Sequence, residues 1–416
     1  MSAPADAAQT ELDPFERFNR AAGSGQVRSP YPLYAQLRRL GPVVPASELE
    51  RLRSGRPAEM STTAGGAVVA VQFDAVQQVL RDSDHFSSRM YAAVMGAVMG
   101  PTVLQFDPPE HTRVRALVQF AFSRTELARW ERELVAPAVA RLIDRFAPRG
   151  RAELVRELTF PFPVEVIAGM MGVPDALRER FARLAVEIIS VSFDPPTALR
   201  ARQGMQELLA PLLEERRSRP RGDLISVLAH AEIGGEKLSD ELIFSFCRLL
   251  APAGAETTYR SSSNLLFGLL SHPEQLEALR RDRQLMRQAI EEGLRWEAPL
   301  TGIMRTCSAD TEVCGVRLAA DTVVAVGLGA ANHDERRWDD PERFDIFRPQ
   351  RQHIAFAAGP HTCLGMHLAR METRVVLDAL LDRLPNLRLD PAAGDVHISG
   401  ESFRAPRELP VVFDAR

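Results

Sequence analysis

Hydrophobic and polar positions follow the period of an α-helix over most of the chain. Residues 125–146 place apolar side chains on one stripe and glutamate and arginine side chains on the other, which is typical of a helix packed against a core. The same period predicts helices over residues 163–171, 174–189, 197–217, 223–230, 239–270, 273–296 and 364–384. Two of these helices begin at Ser239 and at Pro273, and serine and proline are residue types that commonly start helices.

Short β-branched runs predict a smaller amount of sheet, at residues 67–71, 313–318, 322–326, 396–398 and 409–413. Residues 91–104 are apolar but fit neither a strand nor a stable helix. Residues 334–356 form a long irregular stretch, which inside a compact domain usually has a function. We therefore expect one domain over residues 1–416, mainly α with a small β portion, in which about the first 20 residues are a flexible N-terminus.

Composition and charge narrow the class of protein. A net charge of −4 on 416 residues gives no electrostatic reason to expect nucleic acid as a partner. The longest uncharged stretch, residues 90–106, is shorter than the roughly 20 apolar residues of a membrane-spanning helix. Four cysteines are too few for a disulfide framework, and the N-terminus lacks the features of a signal peptide. These features predict a soluble cytoplasmic protein without a membrane span.

The segment 353–377 carries the most specific pattern in the chain. Cys363 follows a loop that contains Gly359 and comes immediately before a predicted amphipathic helix. A helix N-terminus lowers the pKa of a thiol, and loop amides can donate hydrogen bonds to its sulfur. An isolated cysteine at such a position is more often a buried structural residue. Here, however, Phe356, Gly359, His361, Cys363 and Gly365 together form the pattern F-x-x-G-x-H-x-C-x-G.

This pattern resembles the haem-binding signature of the cytochrome P450 family. Ala357 stands where the family usually has glycine, a mild departure that puts the backbone path near the sulfur in question. The resemblance implies the cytochrome P450 fold, with heme b buried between two long core helices and Cys363 as the axial ligand of the haem iron. It extends from about residue 30 to residue 413, with four separate motifs in family order.

A second motif lies in the predicted helix that ends near residue 296. Glu292 and Arg295 are three residues apart and therefore share a helix face, and Arg348 follows in the irregular stretch. Such a pair alone is most often a solvated surface ion pair. The resemblance implies instead that Glu292, Arg295 and Arg348 form a buried, structural charge network that holds the irregular stretch in place.

Basic side chains at several places match the family's contacts to the haem propionates. His111 and Arg115 are four residues apart at the start of a predicted helix, so both reach the same target, and arginine can hold a carboxylate through two hydrogen bonds. Any one of these residues alone would more often be a surface cation. By resemblance, the predicted cofactor-binding residues are His111, Arg115, Arg305, His353, His361 and Cys363.

The helix predicted over residues 239–270 is too long and too apolar to lie on the surface. Pro252 and Gly254 weaken its hydrogen bonding, and Thr257 can bond back to the carbonyl of Ala253, which opens the turn. The alternative is an ordinary proline kink with a satisfied threonine. The resemblance implies that Thr257 forms a hydrogen bond with iron-bound dioxygen and that Glu256 helps to relay protons to it.

Apolar segments around the expected haem predict where a substrate binds. The methionines and glycines of residues 91–104 suit an adaptable pocket wall, although they fit plain core packing as well. The predicted pocket residues are Tyr91, Val94, Met95, Val98, Met99, Leu249, Ala253, Ile303 and Phe403. We expect a bulky hydrophobic substrate such as a terpenoid, a steroid or a fatty-acid-like molecule.

The resemblance implies a monooxygenase that inserts one oxygen atom of O2 into this substrate. Electrons are expected from NAD(P)H through a ferredoxin reductase and a ferredoxin, because the chain contains no flavin or iron–sulfur segment; the arginines around Arg351 and Arg370 would meet an acidic ferredoxin. Two alternatives use the same scaffold. One is a haem-thiolate peroxygenase, dehydratase or isomerase, and the other is a non-enzymatic haem-thiolate ligand-binding protein. The presence of Glu256 and Thr257 favours O2 activation over both.

Overall fold

The computed structural model describes residues 14–21, 23–54, 66–233 and 235–415. Helices dominate this part of the chain, as predicted. They are α1 Pro14–Ala21, α2 Tyr31–Leu40, α3 Ala46–Ser54, α4 Phe73–Arg81, α5 Met90–Met99, α6 Glu110–Gln119, α7 Arg124–Trp130, α8 Ala136–Phe146, α9 Pro161–Met170, α10 Asp175–Ile188, α11 Pro195–Ser218, α12 Leu224–His230, α13 Asp240–Ser271, α14 Pro273–Arg281, α15 Met286–Trp296, α16 Leu328–Asn332 and α17 Met366–Arg383.

The strands are short and form several small sheets. They are β1 Val43–Pro45, β2 Ala67–Ala70, β3 Phe86–Ser87, β4 Arg151–Glu153, β5 Glu232–Ile233, β6 Glu236–Lys237, β7 Ile303–Cys307, β8 Thr311–Val313, β9 Val316–Leu318, β10 Val323–Val326, β11 Arg388–Leu389, β12 Ile398–Ser399, β13 Ala405–Pro406 and β14 Pro410–Val412. The largest sheet has the order β1-β2-β10-β7-β3, in which β2 and β10 run parallel and the other pairs antiparallel. The prediction of a mainly α fold with a small β portion is confirmed.

Two predicted helices are interrupted in the structure. The one over 125–146 is divided into α7 and α8 by a π-helical turn at Glu131–Val135, and the one over 273–296 is divided into α14 and α15. Asp282 causes the second break, because its side chain accepts a hydrogen bond from the amide of Gln284 and caps a new turn. Hydrophobic period alone does not show either break, because the apolar stripe continues across it.

The strand predicted over 313–318 is instead a tight hairpin of β8 and β9. Cys314 and Gly315 form its turn with φ angles of 47° and 83°. Two consecutive positive φ angles are the geometry of a two-residue hairpin turn, and glycine at the second position makes this turn accessible. The chain therefore reverses direction at this glycine, and the predicted strand becomes two short antiparallel strands.

Residues 91–104, which fit no element on sequence grounds, begin with helix α5. Its C-terminal end is held from outside: Arg202 of α11 donates to the carbonyl of Ala97 at 2.6 Å, and Arg248 of α13 donates to the carbonyl of Met99 at 3.0 Å. These bonds satisfy carbonyl groups that a helix end leaves without intrahelical partners. Long-range capping thus stabilises a helix that local propensity does not predict.

Helix α13 crosses the core and packs against α17, with the hydroxyls of Ser262 and Thr373 3.3 Å apart. Most of its side chains are buried, and half of the exceptions lie between residues 249 and 257. Of the N-terminus that is expected to be flexible, about the first 20 residues, the structure describes only residues 14–20. Asn19 of α1 is buried and hydrogen-bonded to α13, whereas residues 1–13 lie outside the described part of the chain.

Candidate active site

The loop before α17 makes a series of tight turns that place Cys363 just before the N-terminus of this helix. The amide of Cys363 donates to the carbonyl of Phe356 at 3.0 Å, and the amide of Thr362 donates to that of Gly359 at 3.1 Å. Gly359 has a φ of 72°, and a Cβ atom there would collide with the carbonyl oxygen of Leu80. Glycine is therefore required at this position for two independent reasons.

Ala357 occupies the position at which the signature usually has glycine. Its φ is 56°, in the left-handed region, and its amide donates to the carbonyl of Ile354 at 2.9 Å. The backbone therefore takes a left-handed turn even without glycine. Holding an alanine in this conformation costs about 1 kcal/mol, which the surrounding turns must offset.

The Cys363 side chain is accessible although protein surrounds it, which describes a cleft rather than an open surface. Desolvation by these surroundings raises the pKa of the thiol above its ordinary value. The amide of Gly365 and the charges of Arg115 and Arg370 oppose this effect and favour the thiolate. The expectation of a lowered thiol pKa is thus wrong for the protein alone, because desolvation outweighs the helix start and both arginines.

Two histidines lie together beside this loop. The rings of His111 and His361 are 4.1 Å apart between centroids, and Ser88 Oγ is 3.2 Å from His361 Nε2. Desolvation, followed by the charges of Arg305, His111 and Arg115, lowers the pKa of His361 to about 3. The His361 imidazole is therefore neutral at pH 7, and desolvation lowers the pKa of His111 below its ordinary value as well.

His111 is buried, and neither of its ring nitrogens has a hydrogen-bond partner among the described residues. A buried polar atom without a partner costs about 1–3 kcal/mol, so its presence indicates that a bound group completes the cluster. Arg115 donates to the carbonyl of Thr362 at 2.6 Å, and Arg305 is buried on β7 beside Tyr91. Buried donors near two arginines fit carboxylate groups such as haem propionates.

His353 lies apart from this cluster. Its Nε2 atom is 3.1 Å from a carboxylate oxygen of Glu291, and its Nδ1 atom accepts from the amide of Ala355 at 3.2 Å. Both ring nitrogens are therefore occupied, and the expected contact of His353 with a propionate is wrong. Although burial opposes it, hydrogen bonds from His353 and Arg370 lower the pKa of Glu291 to about 2. His353 thus helps to join the loop to α15.

The middle of α13 opens on one side. Ala253 is exposed and Thr257 partly exposed, although most of the neighbouring residues of the helix are buried. The hydroxyl of Thr257 donates to the carbonyl of Ala253 at 2.8 Å. Leu249, Ala253 and Thr257 are spaced by four residues and so lie on one helix face. This face of α13 therefore borders an accessible space, whereas most of the helix is buried.

Glu256 lies one position round the helix from Thr257 and is buried. Its carboxylate accepts a hydrogen bond from Nε of Arg260, one turn further along α13, at 2.5 Å. Burial raises the pKa of Glu256, and the charge and hydrogen bond of Arg260 act against this. The carboxyl group thus flanks the open face but is held by an arginine.

The three residues of the predicted charge network are together in the structure. Arg295 donates to both carboxylate oxygens of Glu292, at 2.7 and 2.8 Å, and Arg348 donates to one of them at 3.3 Å. The guanidinium of Arg295 also binds the carbonyls of Asn332 and Pro341, at 3.1 and 2.8 Å. All three charged side chains are nearly buried, so the network ties the irregular stretch to α15.

Comparison with known proteins agrees with this geometry. A family model described as cytochrome P450 matches residues 196–393. The cytochrome P450 monooxygenase PikC of Streptomyces venezuelae is 35% identical over 404 residues, which cover 94% of this chain and 92% of PikC. The chain belongs to the cytochrome P450 family. Haem is therefore its cofactor, and it is a cytochrome P450 monooxygenase, as the resemblance implies.

Solved structures of the family share the fold over nearly the whole chain. CYP109Q5 from Chondromyces apiculatus is 34% identical, with a TM-score of 0.82, and the match covers 94% of this chain and 96% of that one. CYP109E1 from Bacillus megaterium, solved with testosterone, is 30% identical with a TM-score of 0.81, covering 93% and 99%. These matches confirm the cytochrome P450 fold.

The predicted substrate-pocket residues divide into three groups. Val98 and Met99 are buried in the main hydrophobic core, so their prediction as pocket residues is wrong. Val94 is 56% exposed on α5. The others, Tyr91, Met95, Leu249, Ala253, Ile303 and Phe403, all retain accessible surface. The two core residues face inward from the C-terminal end of α5, where Arg248 holds the helix against α13.

Sequence reasoning missed Glu372 of α17. It is buried, its Oε1 atom has no hydrogen-bond partner among the described residues, and its carboxyl group bonds to Thr258 of α13. Burial raises its pKa to about 8, so this glutamate is largely protonated at neutral pH. A signal exists in the sequence, since Glu372 falls on the apolar stripe of α17 with Leu368 and Val376, at a spacing of four residues.

Proposed function

We propose that this P450 inserts one oxygen atom of O2 into a bulky hydrophobic molecule, such as a steroid, a terpenoid or a fatty-acid-like compound. The observation that carries the proposal is the open face of α13, where Ala253 and Thr257 are accessible although most of the helix is buried. This face offers a threonine hydroxyl and, beside it, a carboxyl group. A protein that only bound a ligand would not need this pair.

The cofactor in this proposal is heme b, whose iron Cys363 would hold through its thiolate. His111, Arg115, Arg305 and His361 would hold its propionates, since both buried ring nitrogens of His111 lack a hydrogen-bond partner among the described residues. When bound, the haem iron supplies the redox chemistry that activates O2, with the thiolate donating electron density. Coordination to a metal deprotonates a thiol, so the raised pKa of free Cys363 does not oppose this role.

The protein's own part is to hold and move protons. The hydroxyl of Thr257 donates its proton to the carbonyl of Ala253, which leaves its oxygen to accept a hydrogen bond from the open face. Glu256, beside it, can take up a proton from the interior side and pass it on. Apolar side chains such as Leu249 and Ile303 would exclude water from the pocket and orient the substrate.

The substrate class rests on this apolar lining and on relatives. CYP109E1 has been solved with testosterone and with corticosterone, and P450BioI with a fatty-acyl acyl carrier protein. These are bulky hydrophobic molecules, in agreement with the half-buried apolar residues of this chain. A direct test is a panel of steroids, terpenoids and free fatty acids, scored by the shift of the haem Soret band. A panel in which only small polar ligands shift the band would contradict the proposal.

Electrons are proposed to come from NAD(P)H through a ferredoxin reductase and a ferredoxin. Arg351 is exposed and is available to bind an acidic ferredoxin. Arg370 donates a hydrogen bond to the carboxylate of Glu291 at 2.6 Å, so its positive charge is partly neutralised within the protein. All four cysteines lie in the described part of the chain and are free thiols, which supports a reducing cytoplasm as the compartment. Within the described residues, no helix is long and apolar enough to cross a membrane.

Two variants test the site. Cys363→Ala should lose the absorption of the reduced, carbon-monoxide-bound protein that is characteristic of thiolate ligation, while Cys247→Ala should keep it, since Cys247 is a buried residue of α13 and not of the loop. Thr257→Ala should release more of the supplied electrons as peroxide. Efficient turnover with peroxide and none with O2 and a reductant would instead identify a peroxygenase.

A further inference from the structure

Glu256 forms a buried ion pair with Arg260, a residue that has no assigned role in the proposed proton transfer. Its partner Arg260 is four residues further along α13, and both side chains are nearly buried, with exposed fractions of 5% and 2%. The pair runs beside the column formed by Ala253 and Thr257, because residues four apart lie above one another on a helix. It therefore borders the open face without being part of it.

Arg260 is itself held by the N-terminal helix. Its Nη2 atom donates to Oδ1 of Asn19 at 2.9 Å, and the hydroxyl of Tyr259 donates to the same oxygen at 3.1 Å. The guanidinium also lies over the rings of Tyr259 and Phe403, 4.9 and 5.5 Å from their centroids. Three separate segments of the chain thus determine where this one cation lies.

The electrostatic consequence follows from burial. Desolvation favours the neutral form of a buried carboxyl group, and Arg260 is the cation that opposes this at Glu256. Tyr259 stays neutral because burial raises its pKa, Asn19 is uncharged, and Glu372 of the adjacent α17 bonds to Thr258 instead. Without Arg260, the carboxyl group would lose this counterion in a buried position, and its pKa would rise further.

A group that relays protons must both take up and release them. It does so best when its pKa lies near the working pH. At Glu256, burial raises the pKa and Arg260 acts against this rise, so the guanidinium sets how readily the group binds and releases a proton. A carboxylate held by a cation also keeps one orientation, whereas a released one can turn among several rotamers. Both effects depend on the same guanidinium group.

We propose that Arg260 is a positioning residue for proton transfer, which directs the Glu256 carboxyl group along α13 and stabilises its charged form, and that Asn19 keeps Arg260 in place. This inference rests on the proposed role of Glu256 and Thr257. It gives the N-terminal helix α1 a specific part in the reaction, although α1 is far from Cys363 in sequence. Arg260 itself touches neither substrate nor cofactor in this role.

Infrared titration tests the inference without turnover. The carboxyl band of Glu256, assigned by its loss in Glu256→Gln, should appear at higher pH in Arg260→Met than in the wild type. Arg260→Lys, which retains the charge, should restore a midpoint near that of the wild type. Equal midpoints in the wild type and Arg260→Met would overturn the inference.

The second measurement is the fraction of supplied electrons that is recovered as peroxide. Arg260→Met should raise it severalfold, to the level of Glu256→Gln, and the double variant should show no further increase because both changes remove one function. Asn19→Ala should raise it to a smaller extent. Arg216→Met removes a comparable buried ion pair, 2.6 Å from Asp223 at the junction of α11 and α12, and should leave the fraction unchanged.

The outcomes separate the inference from the proposed function. If Thr257→Ala and Glu256→Gln release peroxide but Arg260→Met does not, the function stands and the inference fails. If neither Thr257→Ala nor Glu256→Gln changes peroxide release, the proposed function fails, whatever the infrared titration shows. Arg260→Lys and Asn19→Ala keep both measurements decisive should Arg260→Met not fold.

Discussion

Glu372 offers a sharp test of the buried electrostatics of this P450. The proposed change is Glu372→Gln, which keeps the size and the hydrogen bond to Thr258 but removes the titration. Burial raises the pKa of this carboxyl group from an ordinary value of 4.5 to about 8. The folded chain therefore holds a proton that the unfolded chain releases between these two pH values.

The sign and size of the effect follow from linkage. Because the folded state binds more protons than the unfolded state in this window, Glu372 lowers the free energy of unfolding as pH rises from 4.5 to about 8. At about 1.4 kcal/mol per pH unit, the loss amounts to as much as about 5 kcal/mol. The glutamine of Glu372→Gln does not titrate. As pH rises through this window, the free energy of unfolding of the variant should therefore increase relative to that of the wild type by up to this amount.

Urea denaturation of the wild type and the variant at pH 5, 7 and 9 measures this difference. Other titrating groups contribute equally to both proteins, so the change of their difference with pH isolates Glu372. Glu214→Gln, at an exposed position of α11, is the matched control for the loss of one carboxyl group. Parallel curves for the wild type and Glu372→Gln would refute the reasoning.

Three further variants test the loop and the charge network. Ala357→Gly should raise the free energy of unfolding by about 0.5–1 kcal/mol in denaturant titrations, because it relieves left-handed strain that exceeds the added chain entropy of glycine; a loss of stability would contradict the left-handed turn. Gly359→Ala should reduce the haem content of purified protein, since its Cβ would collide with the carbonyl of Leu80, and full haem content would count against that contact. Glu292→Gln should lower the free energy of unfolding by about 3–5 kcal/mol, because Arg295 and Arg348 lose their buried counterion, and a change below about 1 kcal/mol would indicate a solvated pair.

Local spacing is enough to predict most of the fold. The helical period locates α9 to α13 and α17 to within a few residues, because a helix that packs on a core needs an apolar stripe wherever it lies. Motif spacing likewise shows that Glu292 and Arg295 share a face. The bond from Thr257 to the carbonyl of Ala253 is also present as expected, since it joins residues one turn apart.

What spacing cannot predict is which partner a side chain finds across the fold. His353 binds Glu291 rather than a propionate, Val98 packs in the core rather than facing a substrate, and α5 forms because Arg202 and Arg248 hold its end. Each outcome depends on a contact between distant segments, whose geometry no local pattern contains.

At Glu256, one property follows from the local sequence and another depends on the tertiary structure. The sequence places it beside Thr257 on a core helix, and this follows from helical geometry alone. Its counterion Arg260 is one turn away, but the hydrogen bond that holds Arg260 comes from Asn19, 241 residues earlier in the chain. Burial and counterions decide how a carboxyl group titrates, and both arise only when the helices pack together.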